Sequence, residues 1–296
     1  MPDGTSNLRG IAYMVLASGS FTINNALLKL AVVNLPPLES LFLRAVAGIV
    51  LGVPVLLATT PAGSIRHMLD PRVLARNVVE CAAAIAFVFA VANAPLADIT
   101  ALLQLTPMLV MLGAVVFFGD RAGGRAVSLI AVALIGAVLV AQPGASGFQP
   151  YVLFGLASAA LSAGRDLIGR RVDARVPALA VAVGLSVVCV VVIGGLMLVF
   201  EKWVTPSLPE LLLITAASAF LTLAQLLLFL SFRVAETRAV VPFFYTGTLW
   251  ALLIGAVVFG TLPNLIALIG ICLIAASGVL VLLLDRRGKT AVPPAP

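Results

Sequence analysis

Charge is what this sequence has least of. Of 296 residues only 10% are Asp, Glu, Lys or Arg and 62% are hydrophobic, against about 25% and about 45–50% in a soluble domain, so no ordinary water-facing shell can be built from it. Histidine is almost absent too: His67 is the only one, which excludes an embedded Ser-His pair or a histidine metal cluster. The three cysteines, Cys81, Cys189 and Cys272, all fall inside apolar stretches. They offer neither a disulfide framework nor a CxxC pair and read as packing residues. Gly288-Lys289-Thr290 lacks the upstream glycine of a phosphate loop, and no GxGD-like motif accompanies Asp120. The expectation is therefore no enzyme, no metal and no cofactor. Aromatics are sparse at 7%, which argues against a dedicated aromatic pocket.

Long hydrophobic runs take the place of what is missing. Segments of spanning length lie at 10–33, 38–58, 73–93, 96–118, 125–142, 151–170, 178–200, 210–232, 238–259 and 264–284. The breaks carry turn chemistry: Pro36-Pro37, Pro61-Ala62-Gly63, Pro95, Gly123-Gly124, Pro143-Gly144, Pro177, Pro206 with Pro209, and Pro263-Asn264. Ten helices of about 20 residues leave about nine for each tail or loop, too few for a soluble catalytic or binding domain. The polar start MPDGTSNLRG precedes a run long enough to span. It reads as a first helix and not a removed signal, so the chain is expected to keep its whole length.

The net charge of +6 is parcelled out among short loops instead of gathered on one face, so no nucleic-acid partner is expected. Counted on alternate sides of the ten segments, fifteen cations share one side: Arg9, Arg66, Arg72, Arg76, Arg121, Arg125, Arg165, Arg170, Arg171, Arg175, Arg233, Arg238, Arg286, Arg287 and Lys289. Only Lys202 lies opposite, while Lys29 and Arg44 fall within helices. The positive-inside rule then predicts that both termini are cytoplasmic.

The two halves also resemble each other. Gly10, Ala12, Leu16 and Gly19 recur as Gly155, Ala157, Leu161 and Gly164 at offset 145, and Gly113-Ala-Val-Val-Phe117 recurs as Gly255-Ala-Val-Val-Phe259 at offset 142. Gly136-Ala-Val-Leu-Val140 resembles Gly278-Val-Leu-Val281 at the same 142. Between them the register stays open, since Ala97 matches Ala235 or Ala239. Five helices per half is odd, so the halves, 1–146 and 147–296, are expected to be inverted relative to each other.

Asn24-Asn25-Ala26-Leu27-Leu28-Lys29 at the end of the first segment, Pro37 followed seven residues later by Arg44, and the run from Ala97 through Thr106-Pro107 to Gly119-Asp120 together resemble the EamA-type transporters of the drug/metabolite transporter superfamily. Ala235-Glu236-Thr237-Arg238-Ala239-Val240-Val241-Pro242 is similar to the family pattern in the second half. The first helix lacks the family's early Trp, and the second half ends at Gly260-Thr261 without a closing acid. The resemblance implies an all-α polytopic carrier of ten transmembrane helices in two inverted repeats. It also implies a multi-pass protein of the bacterial inner membrane, surrounded by the lipid bilayer, that exports amino acids, related metabolites or drugs by alternating access. The aromatic-amino-acid exporters of the YddG type are one subgroup. An uptake carrier or facilitator for a vitamin, nucleoside or drug-like metabolite is the rival reading, and a monomer or weak homodimer is expected.

An ionisable residue at membrane depth is a functional candidate by default. Ser18, Thr22, Asn25 and Lys29 form one helical stripe, expected to face a cavity, or alternatively to hydrogen-bond between helices with Lys29 snorkelling outward. Arg44 suits a bidentate grip on a substrate carboxylate, or pairing with Glu39 or Glu80. Glu80 and Asp98 are proton-coupling candidates, Glu80 otherwise being one half of a static ion pair or an interface residue and Asp98 standing at the outer mouth of the fourth segment. Asp166 among Arg165, Arg170 and Arg171 reads as an inner-end ion pair. Thr100, Gln104, Met108 and Met111 share a face near Pro107, as a lining or as the partners of a proline kink. Gln225 is an isolated amide in the eighth segment. Tyr245, Thr246 and Trp250 offer an aromatic platform or interface anchors.

Overall fold

The computed structural model describes residues 4–60, 66–118, 124–141, 151–169, 171–173, 176–235 and 240–290. Asp120, Glu236 and Arg238 of the sequence motifs lie outside the described residues. Among those described the chain is helical, with no strand. The helices are α1 (Gly4–Ala31), α2 (Pro37–Thr59), α3 (Pro71–Asn93), α4 (Leu96–Leu103), α5 (Thr106–Phe118), α6 (Gly124–Ala141), α7 (Val152–Gly169), α8 (Ala178–Phe200), α9 (Leu208–Val234), α10 (Thr246–Phe259) and α11 (Leu265–Thr290). Seven stretches are long and apolar enough to cross a membrane, α4 and α5 counting together, and three shorter apolar helices cover Ser128–Val140, Phe243–Phe259 and Leu265–Leu280. This is a multi-pass membrane protein.

Prolines set the helix starts. Pro36, Pro95 and Pro177 occupy N-cap positions of α2, α4 and α8, and Pro37 and Pro71 follow as first helical residues, where the missing N–H costs nothing. Asp70 caps α3, its carboxylate accepting the Arg72 N–H at 2.8 Å. Gly260 ends α10 in the left-handed region at φ 63°, and Thr261 N–H reaches back to the Gly255 carbonyl at 2.9 Å. Only glycine adopts that turn without strain, so Gly260-Thr261 is a helix cap.

The fourth and ninth expected segments are interrupted. α4 stops at Leu103 and α5 begins at Thr106, because Pro107 has no N–H for the preceding turn. In the second half a short 3₁₀ turn, Val241–Tyr245, carries Pro242 and leads into α10.

The chain divides into two compact units that each draw on both halves of the sequence: unit 1 is 1–22, 95–150 and 223–296, and unit 2 is 23–94 and 151–222. In unit 2, α3 packs on α7 and α8, and α2 packs on α8. Small residues allow the approach: Gly48 faces Ser186, Gly52 faces Val183, and Gly194 faces the Phe42 ring. Buried hydroxyls and amides bridge the helices, Ser158 donating to the Ala83 carbonyl at 2.9 Å and Asn77 to that of Val181 at 3.3 Å. In unit 1, α6 packs on α11, and α4 on α10 and α11. Gly136 and Gly270 meet there, each lying where the other's methyl would have to go. Met14, Ala235 and Val240 form a buried cluster with Ile11 and Phe244, and Ser231 donates to the Gly10 carbonyl at 2.7 Å.

Candidate functional site

The polar residues of interest fall into two groups, one in each unit. In unit 1 the broken helix is the organising feature. Where α4 ends, the buried Gln104 side chain donates to the Phe244 carbonyl at 3.3 Å, and Ser18 of α1 donates to the same carbonyl, also at 3.3 Å. Thr22, one turn on, donates to its own helix at Ser18 (2.9 Å) and to the Gly247 carbonyl at 3.4 Å. Three side chains thus supply donors to backbone carbonyls at the interrupted start of α10, the compensation a non-helical turn requires at membrane depth. The Ser18 and Thr22 part of the expected stripe is therefore an interhelical hydrogen-bond seam.

The aromatic group does not share one surface. The indole of Trp250 lies against Gly19 of α1, at 3.2 Å from where a methyl would sit. The Tyr245 ring instead lies over Gly278 of α11, a position only a residue without a side chain leaves open. Tyr245 is buried, and among the described residues its hydroxyl has no hydrogen-bond partner, like those of Thr100 and Thr248. Thr246 donates to the Phe243 carbonyl at 2.6 Å. An apolar groove of about 250 Å³ runs beside Tyr245, Thr246 and Thr248 toward Ile271 and Cys272. Gln225 of α9 is half-buried. Asp98 stands in the first turn of α4, where the helix dipole favours a negative charge.

Unit 2 holds the charged residues. Glu80 of α3 forms an ion pair with Arg165 of α7 at 2.6 Å, and Arg165 Nε also holds Asp166 at 2.8 Å. Asp166 is ion-paired, as expected, and Glu80 pairs with the same guanidinium. Arg76, one turn before Glu80, donates to the Asn77 side chain at 2.9 Å. Arg44 of α2 is partly exposed and makes no ion pair within 4.0 Å among the described residues, with either Glu39 or Glu80. Its charged neighbour on α3 is Glu80. Beside it Cys81 of α3 and Cys189 of α8 are close neighbours. That contact was invisible in the sequence, because nothing in the spacing of two cysteines 108 positions apart announces which helices will touch.

Lys29 makes hydrogen bonds between helices, as the alternative reading of the stripe had it, and the structure names the acceptors. Its ammonium donates to the carbonyls of Val91 and Ala94, both at 2.6 Å. These lie in the last turn of α3 and at the residue just after it, where the helix has no N–H of its own to offer and carries the negative end of its dipole. Asn25 is half-buried, its side chain 2.8 Å from that of Asn24.

A second pair of acids was not singled out from the sequence. Glu201, just after α8, accepts the N–H groups of Leu38 and Glu39, each at 3.0 Å. Glu39 returns the contact, accepting the Val204 N–H at 2.9 Å. The signal was available in principle, since an acid beside a proline-initiated helix start is a capping pattern, but the partner lies in another loop 162 residues away.

Residues 8–142 match the model of the EamA-like transporter family. The chain is similar to the pseudopaline exporter CntI of Pseudomonas aeruginosa, 32% identical over 168 residues, a stretch that spans 56% of this chain and only 58% of that one. It is also similar to a riboflavin transporter of Rhizobium johnstonii, 26% identical over 280 residues that cover 94% of this chain and 92% of the relative. A solved crystal structure superposes with a TM-score of 0.62 at 22% identity, covering 97% of this chain and 99% of the other, which shows a shared fold. The family and these named relatives are transporters, not enzymes. Helix-only architecture, repeated apolar spans and the family match converge: through residues 8–142 this membrane chain is similar to the EamA-like transporter family.

Proposed function

We propose that this protein is a secondary transporter of the bacterial inner membrane that exports amino acids and related small metabolites by alternating access. The observation that carries the reading is Arg44. A guanidinium well inside a spanning helix, partly exposed and without a carboxylate within 4.0 Å among the described residues, is expensive unless an anion from outside the protein completes it. A substrate carboxylate fits its fork in two parallel hydrogen bonds. Lys29 takes that role only by releasing the carbonyls of α3, so we place the carboxylate on Arg44. In the same unit Asn25 is the candidate amide. In unit 1 the candidates for contact with polar or apolar parts of a substrate are Gln104, Gln225, Tyr245, Thr246 and Trp250. A coupled proton on Glu80 requires Arg165 to pass wholly to Asp166, which already holds its Nε; Asp98 is the other carboxyl we consider.

The same proposal takes the chain as ten helices in two inverted five-helix repeats, 1–146 and 147–296, with both termini cytoplasmic. The fifteen-to-one distribution of Lys and Arg supports the orientation. Within the units, first-half helices pack on the second-half helices expected to correspond to them, α2 on α8, α4 on α10 and α6 on α11. Proline interruptions at Pro107 and Pro242, in matching segments of the two halves, are the pattern in which carriers of this kind build binding sites.

The test is counterflow in proteoliposomes preloaded with unlabelled amino acids. Saturable exchange that disappears in Arg44→Ala is expected. Exchange that persists in Arg44→Ala removes the carboxylate assignment, and no exchange with any amino acid, in protein shown to be folded, removes the substrate class. The similarity to the riboflavin transporter over 94% of the chain favours one second reading, an uptake carrier for a vitamin, and exchange of a flavin in the same assay would select it.

A further inference from the structure

One end of unit 2 is closed by carboxylates that make no ion pair among the described residues; the cation in the segment, Lys202, is exposed. Glu201 receives the N–H groups of Leu38 and Glu39 through its two oxygens, and Glu39 receives Val204 N–H through Oε2. The first turn of α2 and the segment that follows α8 therefore grip each other through two reciprocal acids. Glu39 is 0% exposed, and its second oxygen, Oε1, has no hydrogen-bond donor among the described residues. The charged groups that face it are the carboxylates of Glu201 and Glu210. Glu210 is itself occupied by Ser207, through N–H at 2.6 Å and Oγ at 2.7 Å. Among the described residues none of these three acids has an ion pair.

Elementary electrostatics distinguishes the two forms of Glu39. The positive end of a helix dipole amounts to about half a charge, and Glu201 already sits on it. A second anion there, buried, with an oxygen to which no described residue donates, and beside two like charges, is disfavoured on every count. The neutral acid leaves one hydroxyl without an acceptor, about 1–3 kcal/mol of lost hydrogen bonding, which is far less than an uncompensated charge.

We propose that Glu39 is a proton-binding site: its carboxyl is protonated while the grip between α2 and the 201–207 segment is closed, and loss of that proton sets Glu39 against Glu201 and releases the grip. The step is a simple acid dissociation, the proton leaving Oε1 for water and the negative charge staying on Glu39. Proton binding follows from the contacts alone, while its use as a gate deepens the transporter reading and rests on it.

Infrared spectroscopy on the full chain in lipid tests the site without any substrate. The C=O stretch of a protonated carboxyl is expected in the wild type at neutral pH, absent from Glu39→Gln and still present in Glu80→Gln. On alkaline titration the band should disappear, and Glu201→Gln, by removing a neighbouring negative charge, should let it disappear about one pH unit lower. Absence of the band at neutral pH in the wild type, its survival in Glu39→Gln, or a Glu201→Gln midpoint that stays or rises would overturn the proposal. The Glu201→Gln shift keeps the test decisive if Glu39→Gln does not fold. If the band behaves as expected but counterflow is absent for every substrate, the transporter reading fails and the proton site stands.

Discussion

Lys29 offers the sharpest perturbation, because its two contacts are short and of one kind. The ammonium donates to the Val91 and Ala94 carbonyls at 2.6 Å each, in the last turn of α3 and at the residue just after it. A hydrogen bond to a charged group contributes about 1.5–3 kcal/mol, and two that share one donor are not additive. Replacing Lys29 with Met keeps the bulk and removes the charge, leaving both carbonyls short of a donor at the negative end of the helix. A loss of about 2–4 kcal/mol follows. In a chain of this size that corresponds to a melting temperature lower by about 4–8 °C. Thermal unfolding in detergent micelles, followed by the fluorescence of the two tryptophans, measures it directly. Lys29→Arg should lose less, since a guanidinium keeps the charge. If Lys29→Met melts within about 1 °C of the wild type, the contacts carry no weight and the capping argument is refuted.

The glycine crossing of α6 and α11 should tolerate no side chain: a methyl on Gly136 would stand 2.8 Å from the Gly270 carbonyl. Gly136→Leu is expected to destabilise by about 1–3 kcal/mol, read from the same melts, with Gly136→Ala milder. The Glu80–Arg165 pair, with side chains 21% and 22% exposed, should show a coupling of about 1–2 kcal/mol in a double-mutant cycle with Glu80→Gln and Arg165→Gln. Asp166 keeps part of the Arg165 interaction in the Glu80 variant, so Arg165→Gln alone should be the more damaging of the two.

Some of this was legible from the chain. Hydrophobic runs placed the helices to within a few residues, since a stretch of about 20 apolar residues has few options besides crossing a bilayer. Pro36, Pro95 and Pro177 marked helix starts because proline's fixed φ and missing N–H suit only the first turn. The segment through Pro107 was expected as one span with a possible kink and is instead broken at Gln104-Leu105, as the proline chemistry allowed but did not require.

What each polar side chain touches was not legible, since side-chain partners depend on which helices meet and at what depth. Lys29 was placed in a stripe with Ser18, Thr22 and Asn25 by helical periodicity alone, and periodicity says which face a residue shares, never what stands opposite. The structure put the last turn of α3 opposite Lys29 and the start of α10 opposite Ser18 and Thr22. Glu80 met Arg165 instead of Arg44, Cys81 met Cys189, and Glu39 met the backbone of Val204 with Glu201 as its charged neighbour. The sequence by itself determined a helical membrane protein, because burial in lipid acts on each segment separately and leaves its mark in composition and period. Only the tertiary structure decided which charges are compensated and which are left open, because compensation is a property of pairs brought together from distant parts of the chain.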